Sequence, residues 1–600
     1  MSNQVKTKAP VVNNRIDFRF NFLLLPLFLI TIILPLITKL HIYDTRLSSY
    51  DWFSTSGKLA DFYLYYKQWF FVFICGFMLL ILIIEHYINK RKLKFQKTLL
   101  PLIIYAILAL LSTFFSDHIV FGISGIWEQF ENVFCLLGYV LIVYYMYQIV
   151  KSEEETRTIL NYIAVGALII GIIGTLETFG VDIVRSFINS GLIVEDGYTI
   201  AEIEKITGST VITLFNPNYV GVYTSMMFTI FLTQLIGTKK IFERILYSLV
   251  VLTMLISLYG SQSKTGIISI VISMIVVILI YRKKVIKLWY ITVPFVLLIV
   301  ISTLLLSNIT NDNFLKEVLN AITIQKDTKL NLTELYTEDD KIILTYKNNT
   351  IKIQENELGY LEFTDSMENV IPSELYSVIE ENVPVITPQD DRFSGILIAD
   401  YTDKDEGICV QVDGVNWLFK KDHTSNKYLY FNHFGRFSSI RNPESCFLED
   451  YSSFATGRGY IWSRTIPLLR NHIILGSGAD SFIFEFPQDD YLGLYHNGFA
   501  TSLMTKPHNW FLQIGVQTGV LSLICILVFF GIYIVQSIRL YMKSKPEDSL
   551  SMMGASIFIG IICYLVSAIS NDSSITIAPV FWVITGLGYV INRRIKEKSV

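Results

Sequence analysis

The sequence predicts an all-α polytopic membrane protein of about twelve transmembrane helices, with a large extracytoplasmic loop that contains a small β-rich insert. Three observations predict it. Of 600 residues, 52% are hydrophobic and 17% charged, where a soluble domain carries about a quarter charged residues. Apolar residues gather into runs long enough, at ~20 residues, to carry a helix across a hydrocarbon core. One stretch breaks the pattern: between roughly 308 and 507 the chain is polar and holds no such run.

The apolar runs lie near 20–40, 68–88, 98–115, 132–150, 158–178, 217–236, 245–260, 265–281, 288–307, 511–536, 550–569 and 575–591. They divide the chain into a membrane core (1–307, nine spans), the loop (308–510) and a second membrane portion (511–600, three spans). The first run is too long for a removed signal peptide, and no small-residue cleavage site follows it. Basic residues orient the spans, because cytoplasmic loops retain Lys and Arg. Lys6, Lys8, Arg15 and Arg19 share one side with 89–97 (NKRKLKFQK), 239–244 (KKIFER), 281–287 (YRKKVIK), 539–545 and 593–598. Loops 41–66, 178–212 (acid-rich over 194–205), 261–264 and 308–507 fall on the other side. Both termini are therefore expected in the cytoplasm and the long loop outside. A net charge of −3 and the lack of a basic stripe give no sign of nucleic-acid binding.

Four of the six cysteines, Cys75, Cys135, Cys525 and Cys563, fall in spans, where Cys packs as a small hydrophobe. Cys409 and Cys446 share the loop and are open to pairing or to staying free; their spacing fits no disulfide framework or zinc site.

The loop reads in two parts. Over about 325–445 the pattern is that of strands: 341–346 and 350–354 around a turn at Asn348-Asn349, 409–412 and 415–419 around Asp413-Gly414, and 428–431 and 436–440 around Gly435. No catalytic constellation lies there. The insert reads as a spacer or as a contact surface for glycan or a partner. Over about 450–510 the apolar pattern turns helical and is interrupted by 476–478 (GSG). Thr456 is suited to cap a short helix with Arg458 in its first turn, which would make an anion site. Asp489-Asp490 is a short acidic pair, weak as a metal signal.

The residues then resemble a known family. GRGYIWSRTIPLLRNHIILGSGADSF (457–482) and KPHNWFLQIGVQTGVLSLI (506–524) are similar to the loop signature of the O-antigen ligase and polymerase superfamily. FNPNYVG (215–221) resembles that family's Asn-Pro-Asn element, and SQSKTG (261–266) its Ser-Arg-Gly element, with Lys264 where Arg is usual. The resemblance spans most of the membrane core and omits the β insert. It implies a glycosyltransferase of GT-C type, inverting and independent of metal or other cofactor, in a bacterial cytoplasmic membrane. The donor would be a glycan on undecaprenyl pyrophosphate and the acceptor a hydroxyl of a glycan or another molecule, with membrane lipid around the site. The leaving pyrophosphate gains negative charge, which fixed cations stabilise most in the transition state.

The residues implied are Arg458 and His508 in catalysis, with His508 as proton acceptor. Lys264, Arg464, Asn216, Asn218, Ser263, Asn509 and Trp462 would contact substrate. Each has a plainer role open to it: Arg458 at the lipid interface, Lys264 snorkelling, Asn216 and Asn218 capping a helix, Trp462 packing. A polymerase is the preferred reading and a ligase onto a different acceptor the alternative. A lipid-linked glycan transporter would carry charges inside its spans; Glu177, at one outer end, is the main candidate. A non-catalytic scaffold that binds wall glycan through the insert is the third class.

Overall fold

The computed structural model describes residues 22–90, 92–184, 209–287, 323–328, 330–379, 383–401, 407–422, 424–543 and 548–599. The expected span at 288–307, the N-terminal basic cluster and the acidic run 194–205 lie outside them. Seven described helices are long and apolar enough to cross a membrane: Tyr65–Tyr87 (α1), Lys97–Phe114 (α2), Glu153–Thr178 (α4), Pro217–Gly237 (α5), Ile241–Ser261 (α6), Val520–Tyr541 (α10) and Ser549–Ser567 (α11). Shorter apolar helices occupy Phe22–Leu36, Val133–Ile149 (α3) and Lys264–Ile280, the last being the apolar part of Lys264–Lys287 (α7). The chain is a multi-pass helical membrane protein; the count of twelve is not reached among the described residues.

Two expected spans differ in form. Phe22–Leu36 is not one α-helix but a series of 3-10, α and π turns, because Pro26 and Pro35 each withhold an amide donor. The run expected at 511–536 divides at Gly519, whose φ of 100° ends Trp510–Thr518 (α9) before α10 begins.

Caps fix the helix starts. Ser152 and Glu155 form a capping box on α4, and Glu153–Glu155 oppose the helix dipole. Asn132, Asn216 and Asn509 cap α3, α5 and α9 through their side-chain oxygens. The α5 helix is the central pillar, with 83% of its span buried against 33% for α10. It packs on α6, α7 and α11. Ala578–Ser599 (α12) lies on α3 and α11, and Trp582 sits fully buried among Tyr139, Trp510 and Phe530.

A hairpin, His41–Asp44 (β1) with Lys58–Asp61 (β2), fills the loop between Phe22–Leu36 and α1. The β insert is larger than a few hairpins: two antiparallel meanders, one of five strands from Leu332–Glu338 (β3) to Val370–Ile371 (β7), the other of seven from Ser373–Ile379 (β8) to Phe437–Ser438 (β14). They share one apolar core, with Leu335, Ile342 and Leu344 from the first and Ile398, Val410, Trp417 and Phe419 from the second. Two-residue turns set the register. Asp413 and Gly414 both have positive φ, as expected of their hairpin, but the first predicted turn is displaced by one residue: Lys347 and Asn348 turn, and Asn349 already pairs with Tyr346. Cys409 and Cys446 are unpaired.

The insert is anchored at two places. Arg436 donates to the carbonyls of Ser48 (2.7 Å) and Tyr50 (2.8 Å) in the connection between β1 and β2. Tyr491 and Leu492, from the helical part of the long loop, complete the insert's own core.

Candidate functional site

A cleft of about 490 Å³ opens where α5, α7 and α11 meet the long loop. Its polar wall holds Asn218, Gln262, Lys264 and Thr265; Thr456, Arg458 and Trp462 face it from the loop. Its other wall is apolar, with Ile268 and Ile272 of α7 beside Val566 and Ile569. Hydroxyl pairs join α7 and the α11 end beneath it: Thr265 to Ser570 at 2.9 Å and Ser269 to Ser567 at 2.7 Å.

The loop helix Phe454–Leu468 (α8) presents two faces with helical spacing. Arg458 and Trp462 face the cleft; Tyr460 and Arg464 face away from it. The helix does not start on a Thr456 cap as the sequence suggested. Ala455, Thr456 and Gly457 all have positive φ, a left-handed turn in which Thr456 Oγ1 donates to the Ala455 carbonyl. Two non-glycine residues held there cost energy that the surrounding packing must offset. The turn presents the Ala455 carbonyl and the Thr456 hydroxyl to Arg458, which donates to both at 2.9 Å. The Arg458 Nε–H is buried and makes no hydrogen bond among the described residues. Burial pulls the Arg458 pKa below its ordinary value, and Asp572 opposes that pull.

Arg464 is not in the cleft. It donates to Asp490 (2.8 Å) and Glu449 (3.0 Å) and lies over the Tyr460 ring. Asp490 also caps the short helix Tyr491–His496, and Asp489 is held by Arg441. Each carboxylate of the acidic pair thus has its own guanidinium partner.

Trp462 Nε1 donates to the Pro507 carbonyl at 3.0 Å, which ties the cleft wall to His508. His508 has a φ of 50°, and its Nδ1 lies 2.9 Å from Asp572 Oδ2. Asn509 serves as the α9 cap, accepting from Phe511 and Leu512, while its own N–H donates to Asp572. Burial alone would raise the Asp572 carboxyl, but His508, Lys506 and Arg458 outweigh it and hold the acid below its ordinary value. Lys506 is buried and donates to the Tyr219 hydroxyl at 3.0 Å. Burial would lower its ammonium; Tyr219 and Asp572 reverse this and hold it above its usual value.

Behind this cluster lie two further acids. Glu131 accepts from Ser573 (2.6 Å) and Tyr139, and burial pushes it up to about 7. Asp480 accepts from the amides of Glu131 and Ile126, and burial together with Glu131 pushes it up to about 8.

Three other positions singled out in the sequence, Asn216, Ser263 and Glu177, do not line the cleft and hold backbone instead. Asn216 caps α5 by accepting from the Asn218 N–H. Ser263 is buried, packs on Gly221, and accepts from the Gly266 N–H at the start of α7. Glu177 accepts from the Val211 and Ile212 amides and so fastens the strand of chain entering α5. The 476–478 stretch threads between α2 and α9. Gly476 N–H donates to Ser112, and the Ser477 and Gly478 amides donate to Val516 and Gln517. A Cβ at Gly476 would fall on the Gln517–Thr518 peptide, and one at Gly519 on the Ile474 carbonyl.

Asp572, Lys506, Glu131 and Asp480 were missed in the sequence. Asp572 had a visible signal, a carboxylate in the short polar run between two apolar segments. Lys506 and Asp480 stand inside the quoted motifs, and Glu131 has no local signal.

With this geometry in view, one comparison bears on the long loop. Residues 427–527 match the O-antigen ligase family (Wzy_C). The match begins in Lys427–Phe431 (β13), takes in α8, the glycine crossing, His508 and α9, and ends in α10. The matched stretch includes Arg458 and His508, while Lys264, Asn218 and Asp572 lie outside the matched residues. No curated protein and no solved structure matches this chain.

Proposed function

We propose that the chain transfers a glycan from undecaprenyl pyrophosphate to an acceptor hydroxyl at the outer face of the bacterial cytoplasmic membrane. The observation that carries this reading is the buried, unmet Nε–H of Arg458 on a cleft whose other wall bears Lys264. Two cations beside an apolar wall suit a pyrophosphate joined to a polyprenyl tail. The tail would run along Ile268, Ile272, Val566 and Ile569 toward the bilayer. Basic loops on the opposite side of the spans support the outer location.

In the step proposed, the acceptor oxygen attacks the anomeric carbon on the face opposite the pyrophosphate. The C1–O bond breaks, its electron pair goes to the leaving pyrophosphate, and configuration inverts. His508 Nε2 takes the acceptor proton while Asp572 holds Nδ1–H, which fixes the tautomer and stabilises the imidazolium. Lys264 and Arg458 stabilise the charge that develops on the leaving group. These fixed cations do the work a bound metal does in other phosphate sites, so the reaction is proposed to be metal-independent.

We favour a polymerase, whose acceptor is a second lipid-linked repeat unit. The test is incubation of the purified protein in nanodiscs with one lipid-linked repeat unit alone. A ladder of product lengths supports polymerisation. Product formed only after a different acceptor is added supports ligation. No release of undecaprenyl pyrophosphate under either condition overturns the transferase reading.

A further inference from the structure

A second cavity, of about 700 Å³, lies on the far face of α8, between the helical part of the loop and strand β3. The two cavities share one helix as a wall: Arg458 and Trp462 line the first, Tyr460 and Arg464 the second. They also share a rim. Ser452 and Ser453 line the second cavity, and the next three residues, Phe454, Ala455 and Thr456, line the first. Five consecutive residues span at most roughly 17 Å, so an extended chain of a few sugar rings can reach from one cavity to the other across this turn.

The second cavity is built of groups that bind saccharide hydroxyls. On its wall Asn442 Nδ2 donates to Glu334 Oε1 at 3.4 Å. Asn497 and Thr333 add an amide and a hydroxyl, and Leu492 contributes an apolar patch. Carboxylates outnumber guanidinium groups six to two on the wall; Arg470 and Lys326 pair with Glu444 and Asp450 from beside it and leave the balance acidic, so its field opposes anionic ligands.

We infer that this cleft binds the acceptor saccharide, and that it selects neutral or amine-bearing sugars over carboxylated ones. The inference rests on the glycan-transfer reading for the word acceptor, and on the cleft's own chemistry for saccharide binding. It also gives the β insert a role, since β3 supplies one wall.

The test measures binding of three probes to the full chain in nanodiscs by saturation-transfer NMR: a chitosan tetramer, a cello-tetraose and an oligogalacturonate. The first two are expected to bind and the third to bind at least tenfold more weakly. Glu334→Gln and Asn442→Ala are each expected to weaken binding at least fivefold. In the transfer assay the two cleft variants should raise the acceptor KM and spare kcat. Failure of all three probes to bind, equal binding of the oligogalacturonate, or unchanged binding in both cleft variants overturns the inference. Saccharide binding that persists in a chain with no transferase activity instead overturns the proposed function and leaves a saccharide cleft standing.

Discussion

His508 and Asp572 form a hydrogen-bonded pair at 2.9 Å in which the carboxylate is wholly buried and the imidazole is 42% exposed. Neither residue lines the cleft, which His508 adjoins through the Trp462–Pro507 hydrogen bond; in the proposed mechanism the contribution of Asp572 passes through His508. Asp572→Asn keeps the shape and removes the charge. It is expected to lower kcat by about 10²–10⁴ with acceptor KM little changed, as measured in the nanodisc transfer assay. An unchanged kcat would separate His508 from proton transfer.

Arg458→Ala, Lys264→Ala and His508→Ala are each expected to cut transfer by about 10²–10³, the usual loss for one preorganised contact to developing charge. Lys264→Arg should be the mildest change, since Arg retains the charge and adds a bidentate fork. EDTA should have little effect on the rate. Near-wild-type turnover in both Arg458→Ala and His508→Ala would contradict the mechanism.

Arg464 behaves differently, because its guanidinium and the Asp490 carboxylate are 5% and 2% exposed. Removing one member of such a pair leaves a buried charge and costs about 3–5 kcal/mol. Arg464→Ala should therefore lower the thermal midpoint sharply and reduce the yield of folded protein. Arg464→Met with Asp490→Leu should recover part of the loss. A midpoint unchanged in Arg464→Ala would refute a structural role.

The raised acid of Asp480 gives a pH dependence of known sign. Its folded value near 8 exceeds the ordinary 3.8, so the folded chain holds a proton that the unfolded chain has released. Stability from this group is full below about pH 4 and falls as pH rises toward 8, by at most about 1.4 kcal/mol per unit. Asp480→Asn removes that slope while keeping an oxygen for the Glu131 amide. The variant should gain thermal midpoint over the parent at pH 8 relative to pH 5. Parallel curves would show that the proton is not there.

Topology is checked by labelling. Asn348→Cys, with Cys409 and Cys446 replaced by Ser, should react with an impermeant maleimide in intact cells, because Asn348 is exposed in its turn. Labelling only after lysis would invert the orientation and remove the outer-face chemistry.

Much of this architecture is legible in local pattern. Apolar runs marked the membrane helices, and Asp413-Gly414 marked its hairpin, because both rest on properties of neighbouring residues. Non-local features were not legible. Arg464 and Arg458 stand six residues apart in one motif, yet only Arg458 lines the cation-bearing cleft. The helical offset and the distant Asp490 decide that. Asp572, more than sixty residues from His508, is joined to it only by the packing of α9 against the α11 end. The left-handed turn before Arg458 was read as a cap because Thr favours the N-cap and, being β-branched, gives no local sign of a positive φ.

The crossing of Gly476 over α9, and of Gly519 under Ile474, is backbone on backbone, with no side chain between to yield. A side chain at either glycine would have to push two backbones apart, so residues 474–478 and the α9–α10 junction can lie this close only while both positions stay glycine. The segment that leads on to Asp480 is thereby seated directly on the backbone that follows His508.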